Sequence, residues 1–121
     1  MKTYRTRITL LVEVTAANER HAYEKSSSVM ERLEEHLQLA LRETRAVLAS
    51  QRLWSRSAEA GGQRQSKVEL ELHLEVNSAQ RAGEELKKAV PLITTYAKLA
   101  LEGSFLRFRE MEVREIYLKR Y

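Results

Sequence analysis

Apolar and polar residues alternate at the start of the chain. Tyr4, Thr6, Ile8, Leu10, Val12 and Val14 fall on one side of a period-two pattern, and Arg5, Arg7, Thr9, Leu11 and Glu13 fall on the other. That period predicts a strand over 3–14 with one face in a core and the other mostly in water. Such a strand belongs to an antiparallel sheet covered on one side. The alternation returns in cleaner form where Val68, Leu70, Leu72, Leu74 and Val76 interleave with Glu69, Glu71, His73 and Glu75. This second run predicts another long strand.

Between the two runs the period changes. Met30, Leu33, Leu37, Ala40, Leu41, Thr44, Val47 and Leu48 recur at helical spacing and predict a helix over 29–49. Ser28, three residues ahead of Glu31, reads as a capping box. Glu31, Glu34 and Glu35 near the start and Arg42 and Arg45 near the end suit the helix dipole. The polar stretch 18–28 before this helix predicts a loop. Leu86, Ala89, Val90, Ile93, Ala97, Ala100 and Leu101 predict a second helix over 79–101, with Asn77 or Ser78 as its cap and Gly103 as its stop. Pro91 inside it predicts a kink or a break.

The remaining segments are less regular. Residues 51–57 predict a short strand, and 57–66, which hold Gly61 and Gly62, predict a flexible connection. The last strand is expected over about 105–120. Leu106 and Phe108 are out of phase with Met111 and Val113, so a bulge is expected near Arg109 and Glu110.

The order of elements predicts an α+β fold. The expected architecture is a ferredoxin-like βαββαβ sandwich: a four-stranded antiparallel sheet in the order 4-1-3-2 with two helices on one face. The chain reads as a single domain over 1–121, with half-repeats at about 3–57 and 66–120. Leu10–Asn18 aligns with Leu72–Gln80 at a shift of 62, and Leu53–Arg56 aligns with Leu106–Arg109 at a shift of 53. The difference places about nine extra residues in the first half, in the stretch 19–28.

Composition narrows the functional classes. With 121 residues, 43% hydrophobic and 31% charged, the chain is sized and balanced for one globular domain. No run approaches the ~18 apolar residues of a membrane span, and the N-terminus lacks the apolar region of a secretory leader. The chain has no cysteine, which excludes disulfides, thiolate metal sites and a cysteine nucleophile. Its absence fits a reducing compartment, and a cytoplasmic location is expected. Aspartate is missing as well; all 17 acidic residues are glutamate. A chain without aspartate lacks a favoured ligand for hard cations and for phosphoryl-transfer metals.

Candidate chemistry is sparse. His21, His36 and His73 form no pair at metal-ligand spacing. The four glycines fit neither a dinucleotide fingerprint nor a P-loop, and no Gly-x-Ser-x-Gly elbow is present. Ser26, Ser27 and Ser28 read as a capped loop. No cofactor, metal or catalytic residue is predicted, and the chain is expected not to be an enzyme.

Two surfaces remain as candidates. In the order 4-1-3-2 the open sheet face gathers Arg5, Arg7, Arg107 and Arg109 from the first and last strands. Arg52, Trp54 and Arg56 add a basic-aromatic interleaving from the second. His73 lies on the same face between Glu71 and Glu75, as a cross-strand partner. Carboxylates at the centre of the face repel phosphate, and strand-one arginines are expected to pair with strand-three glutamates. The second surface is the overlong last strand, where Ile116, Tyr117, Leu118 and Tyr121 make an adhesive end that overhangs its neighbour. Homo-oligomerisation of a non-catalytic binding or assembly protein, through that strand or the open face, is the expected function. The alternative partner is RNA or DNA on the arginine-bearing face.

Overall fold

The computed structural model describes residues 1–56, 63–104, 106–114 and 116–118. In chain order the elements are β1 (Lys2–Thr15), α1 (Glu19–Ser27), α2 (Met30–Leu41), β2 (Ala46–Arg56), β3 (Gln63–Val76), α3 (Ala79–Leu101), β4 (Leu106–Val113) and a two-residue β5 (Tyr117–Leu118). The strands form one antiparallel sheet in the order β2-β3-β1-β4, with β5 also paired to β1. Read from the other edge, the four main strands run 4-1-3-2. The fold is α+β, with three helices among the described residues rather than the two expected.

The two long alternating runs form the centre of the sheet. β1 and β3 pair over their whole lengths, from Lys2 opposite Val76 to Thr15 opposite Gln63. Their inward residues Tyr4, Ile8, Leu10, Val68, Leu70, Leu72, Leu74 and Val76 are buried, and α2 and α3 cover them with Leu33, Leu37, Leu41, Leu86, Ile93 and four alanines. The small residues on α3 let its axis come close to the sheet and to α2. A second cluster at the other end of the sheet joins Val12, Val14, Ala16, Ala22, Leu101 and Leu106.

The segment expected as a polar loop over 18–28 is the helix α1. The Asn18 side chain accepts from the His21 backbone N–H at 2.8 Å and starts the helix. Among its described residues the buried ones are Ala22 and Ser26, one turn apart. Ser26 Oγ meets Ser66 Oγ on β3 at 2.8 Å, so the two buried hydroxyls partner each other. So narrow a buried face leaves no apolar stripe in the sequence. Ser28 is not a capping-box residue. Its hydroxyl donates to the Lys25 carbonyl at 2.6 Å and closes α1 from behind, while Val29 sits at the N-cap of α2 with no side-chain cap.

The helix expected to reach 49 stops at Leu41. Thr44 makes the turn: its hydroxyl donates to Leu41 O at 2.8 Å and accepts from the Ala46 N–H at 3.1 Å. The chain then enters β2, five residues before the strand was expected. Ala46 is buried opposite Leu74, whereas Val47 points to the open side and is 63% exposed. Helical spacing over 44–48 is therefore accidental. A four-residue apolar run carries no period of its own, and sheet pairing decided it.

β3 likewise begins earlier than expected, at Gln63. The rest of the glycine-bearing connection, 57–62, lies outside the described residues. α3 spans 79–101 without a break at Pro91. Ser78 caps it by accepting from the Arg81 N–H at 3.2 Å, and Gly103 leaves it at φ +77°, the left-handed value that suits glycine. Buried Glu85 is held on its own helix by Arg81 at 3.7 Å and Lys88 at 3.4 Å.

The last strand does not overhang its neighbour through residue 118. β4 ends at Val113, the Arg114 N–H donates to Arg7 O at 2.9 Å, and β5 pairs Tyr117 with Arg5 and Leu118 with Tyr4. β1 begins two residues beyond that point, so the chain closes along it. The register slips once, where Leu11 faces Glu110 but Val12 faces Phe108, leaving Arg109 as the extra residue of a bulge. That is where the phase break was expected.

Candidate functional site: the open sheet face

All three helices lie on one side of the sheet. The other side carries no element among the described residues, and it gathers most of the charged candidates. Residues in register across an antiparallel sheet share a face, so the pairings define rows. One row holds Val47, His73, Arg5 and Tyr117. The next holds Ser50, Glu71 and Arg7, with Arg114 beyond. Then come Arg52, Glu69, Thr9 and Glu112, and after them Lys67, Leu11 and Glu110. Thr9 and Leu11 are buried although they lie on this face. They sit among long charged neighbours, whose apolar stems can cover them.

Glu71 is the most engaged group. His73 Nε2 lies 2.9 Å from Glu71 Oε2, and Arg5 Nη1 lies 3.9 Å from Oε1. The His73 hydrogen bond, with the charges of Arg5 and Arg7, holds the Glu71 carboxyl below the usual carboxylate range, against a smaller upward push from burial. His73 thus partners a carboxylate two places along its own strand, not a cross-strand one. The expected pairing of strand-one arginines with strand-three glutamates holds for Arg5.

Arg109, pushed out by the bulge, bonds Glu13 on β1. Arg7, Arg52 and Arg107 make no ion pair within 4.0 Å among the described residues, and neither do Glu69, Glu110 or Glu112. Arg7, Ser50, Arg52, Glu69 and Glu71 line a cleft of about 220 Å³. Two uncommitted guanidinium groups, a hydroxyl and two carboxylates meet there, which suits a partner that brings both signs of charge. The acidic half of this set was legible in the alternation of β3. Glu110 and Glu112 were hidden by the phase break at Arg109.

The other expected residues divide. Trp54 and Arg56 stand in register with Lys67 and Gln65 at the β2 edge. Ile116, expected as an oligomer contact, packs against the chain's own core. Tyr117 and Leu118 pair within the chain, and Tyr121 lies outside the described residues. A wider cleft of about 630 Å³ lies where α3 meets β4, lined in part by Leu99, Arg107 and Phe108, with Lys98 Nζ 5.6 Å above the Phe108 ring. Among the described residues no group of three or more metal-ligating side chains is placed to hold an ion. No described helix is long and apolar enough to cross a membrane.

No protein-family model matches the chain, and no curated protein matches it in sequence. Solved structures do resemble it in fold. A hydantoinase/carbamoylase family amidase from Burkholderia ambifaria covers 97% of this chain at a TM-score of 0.58 and 12% identity, and the match takes 29% of the amidase chain. The full extracellular region of zebrafish Gpr126/Adgrg6 covers 93% of this chain at a TM-score of 0.51 and 14% identity, over 13% of its own length. The present chain therefore spans under a third of either protein, and the likeness is one of fold.

Proposed function

We propose that this chain is a non-catalytic binding and assembly domain that forms homo-oligomers through the open face of its sheet. The frame for this reading is a ferredoxin-like βαββαβ sandwich with one added helix in its first crossover. The observation that carries it is the set of uncommitted charges on that face. Arg7 and Arg52 line a cleft with Glu69 and Glu71, and neither arginine has an ion pair among the described residues. A surface bearing both signs, on which Arg7, Arg52, Glu69 and Glu112 make no ion pair among the described residues, complements another surface of the same kind. The fold likeness to part of an amidase does not carry the amidase's activity to this chain, because function sits in sites placed on a fold.

The C-terminal strand is the weaker of the two assembly surfaces. Ile116 is partly buried against the core and Tyr117–Leu118 pair with β1, so much of this segment is engaged at home. Nucleic acid is disfavoured by Glu69 and Glu71 at the middle of the face, where phosphates would have to pass.

Sedimentation velocity over a concentration series tests the proposal. A rise in mean mass with concentration, weakened by salt, is the expected result. A monomer at every concentration overturns it. Salt-dependent binding of mixed oligonucleotides, abolished by Arg7→Ala with Arg52→Ala, would replace it with the nucleic-acid reading.

A further inference from the structure

We propose that the open face binds a second copy of this chain face to face, about a two-fold axis parallel to the strands and midway between β1 and β3. This rests on the homo-oligomeric reading above and gives it a geometry. Such an axis turns each row of the sheet to face itself, reversed end to end. A two-fold interface uses the same patch on both copies, so the patch must complement itself.

The row through Arg52 meets that condition at its charged ends. In the row Arg52, Glu69, Thr9, Glu112, the cation stands at the β2 edge and the last carboxylate at the β4 edge. Reversal brings Arg52 over Glu112 of the second copy, and Glu112 over its Arg52. Glu69 comes over the hydroxyl of Thr9. In the next row Arg7 comes over Glu71, beside the cleft that Arg7, Ser50 and Arg52 line. In the row of Lys67, Leu11 and Glu110, the lysine stem comes over Leu11. His73 and Arg5 meet across the pair, each already held to Glu71 of its own chain. Arg52 and Glu112 are exposed and have no ion pair of their own among the described residues. An axis perpendicular to the strands would instead keep β2 over β2 and β4 over β4, so it would not bring Arg52 and Glu112 together.

Size sets the strength. Four strands at ~4.8 Å spacing and about ten residues at ~3.3 Å give a face of order 600 Å² per copy. A standard stable interface removes about 800 Å² per partner. The pair is therefore weak and held by charge, with bridging water between the faces, and salt loosens it.

The test uses the full chain and sedimentation velocity. Arg52→Glu alone and Glu112→Arg alone each weaken self-association about tenfold or more, because like charges then oppose each other twice per dimer. Both changes in one chain restore it, since the exchanged charges face each other again. Mixing the two single variants gives a heterodimer stronger than either homodimer. Arg52→Ala, which removes a charge without reversing it, gives a smaller loss. Circular dichroism checks that these surface variants stay folded. A dimer indifferent to both reversals, or singles that weaken it with no rescue in the double, overturns this geometry and leaves homo-oligomerisation standing. A wild-type chain that is monomeric throughout overturns both.

Discussion

His73 Nε2 and Glu71 Oε2 lie 2.9 Å apart, two places from each other along β3 and on the same face. Arg5 reaches the second oxygen of that carboxylate from β1. The hydrogen bond from His73, helped by Arg5 and Arg7, favours the ionised form of Glu71 and holds its pKa below the ordinary value of 4.5. A carboxyl depressed in the folded state adds stability that is complete above its unfolded value. That stability is lost as pH falls from there through the folded value. His73→Ala should move the Glu71 titration upward, toward 4.5, in a carbon-detected NMR titration. The stability difference between wild type and variant should narrow as pH drops through this acidic window. A Glu71 titration unchanged by the substitution would mean that the arginines alone set it.

The helix caps give a second expectation. Ser78 accepts from the Arg81 N–H, a side-chain cap on α3, so Ser78→Ala should cost about 1 kcal/mol in urea unfolding. Ser28 donates backward to Lys25 O and caps nothing ahead of it. Ser28→Ala should therefore cost distinctly less. Equal losses at the two serines would contradict this division of roles.

These serines also show where the sequence was and was not legible. Ser28 with Glu31 has the spacing of a capping box, yet three serines in a row end one helix before the next begins. The true starting signal was Asn18, followed by Ala22 and Ser26 one turn apart, a buried face too narrow to register as a stripe. The long elements were readable because each repeats its period many times: β1, the main run of β3 and α3 all lie where the pattern puts them. Ala46–Ala49 was not, because two turns of a weak stripe cannot outvote pairing with Leu72, His73 and Leu74. On the open face, Glu69, Glu71 and His73 followed from the alternation. Glu112 did not, because the bulge at Arg109 reverses the phase and only the register shows which side it takes.

The assignment of β2 can be checked directly. Ala46 is 2% exposed opposite Leu74, whereas Val47 is 63% exposed. Placing a lysine at Ala46 buries a charge and should cost more than about 3 kcal/mol or prevent folding. The same change at Val47 should lie within about 0.5 kcal/mol of wild type. Thermal melts of Ala46→Lys and Val47→Lys decide the matter. A helix over this segment, with Val47 in its apolar stripe, would make Val47→Lys the damaging one.

Pro91 offers the most contrary prediction, a gain. α3 continues through it, and the ring is exposed, so no packing compensates at its surface. Proline has no N–H to donate to the Lys87 carbonyl, and its ring crowds that carbonyl; an interior helical proline costs about 3 kcal/mol relative to alanine. Part of that is offset, because proline restricts the unfolded chain by about 0.4–1 kcal/mol. The Thr94 hydroxyl donates to Val90 O at 3.1 Å, so the turn around the proline already draws on a side chain for its carbonyls. Pro91→Ala should therefore raise stability by roughly 2–2.6 kcal/mol in urea unfolding, the difference between these two terms. It should also slow amide exchange in the turn around residue 91, with no change in self-association, since α3 lies on the side of the sheet away from the open face. A loss of stability would mean that the proline shapes α3 to fit the sheet and α2, and that a straighter helix packs worse.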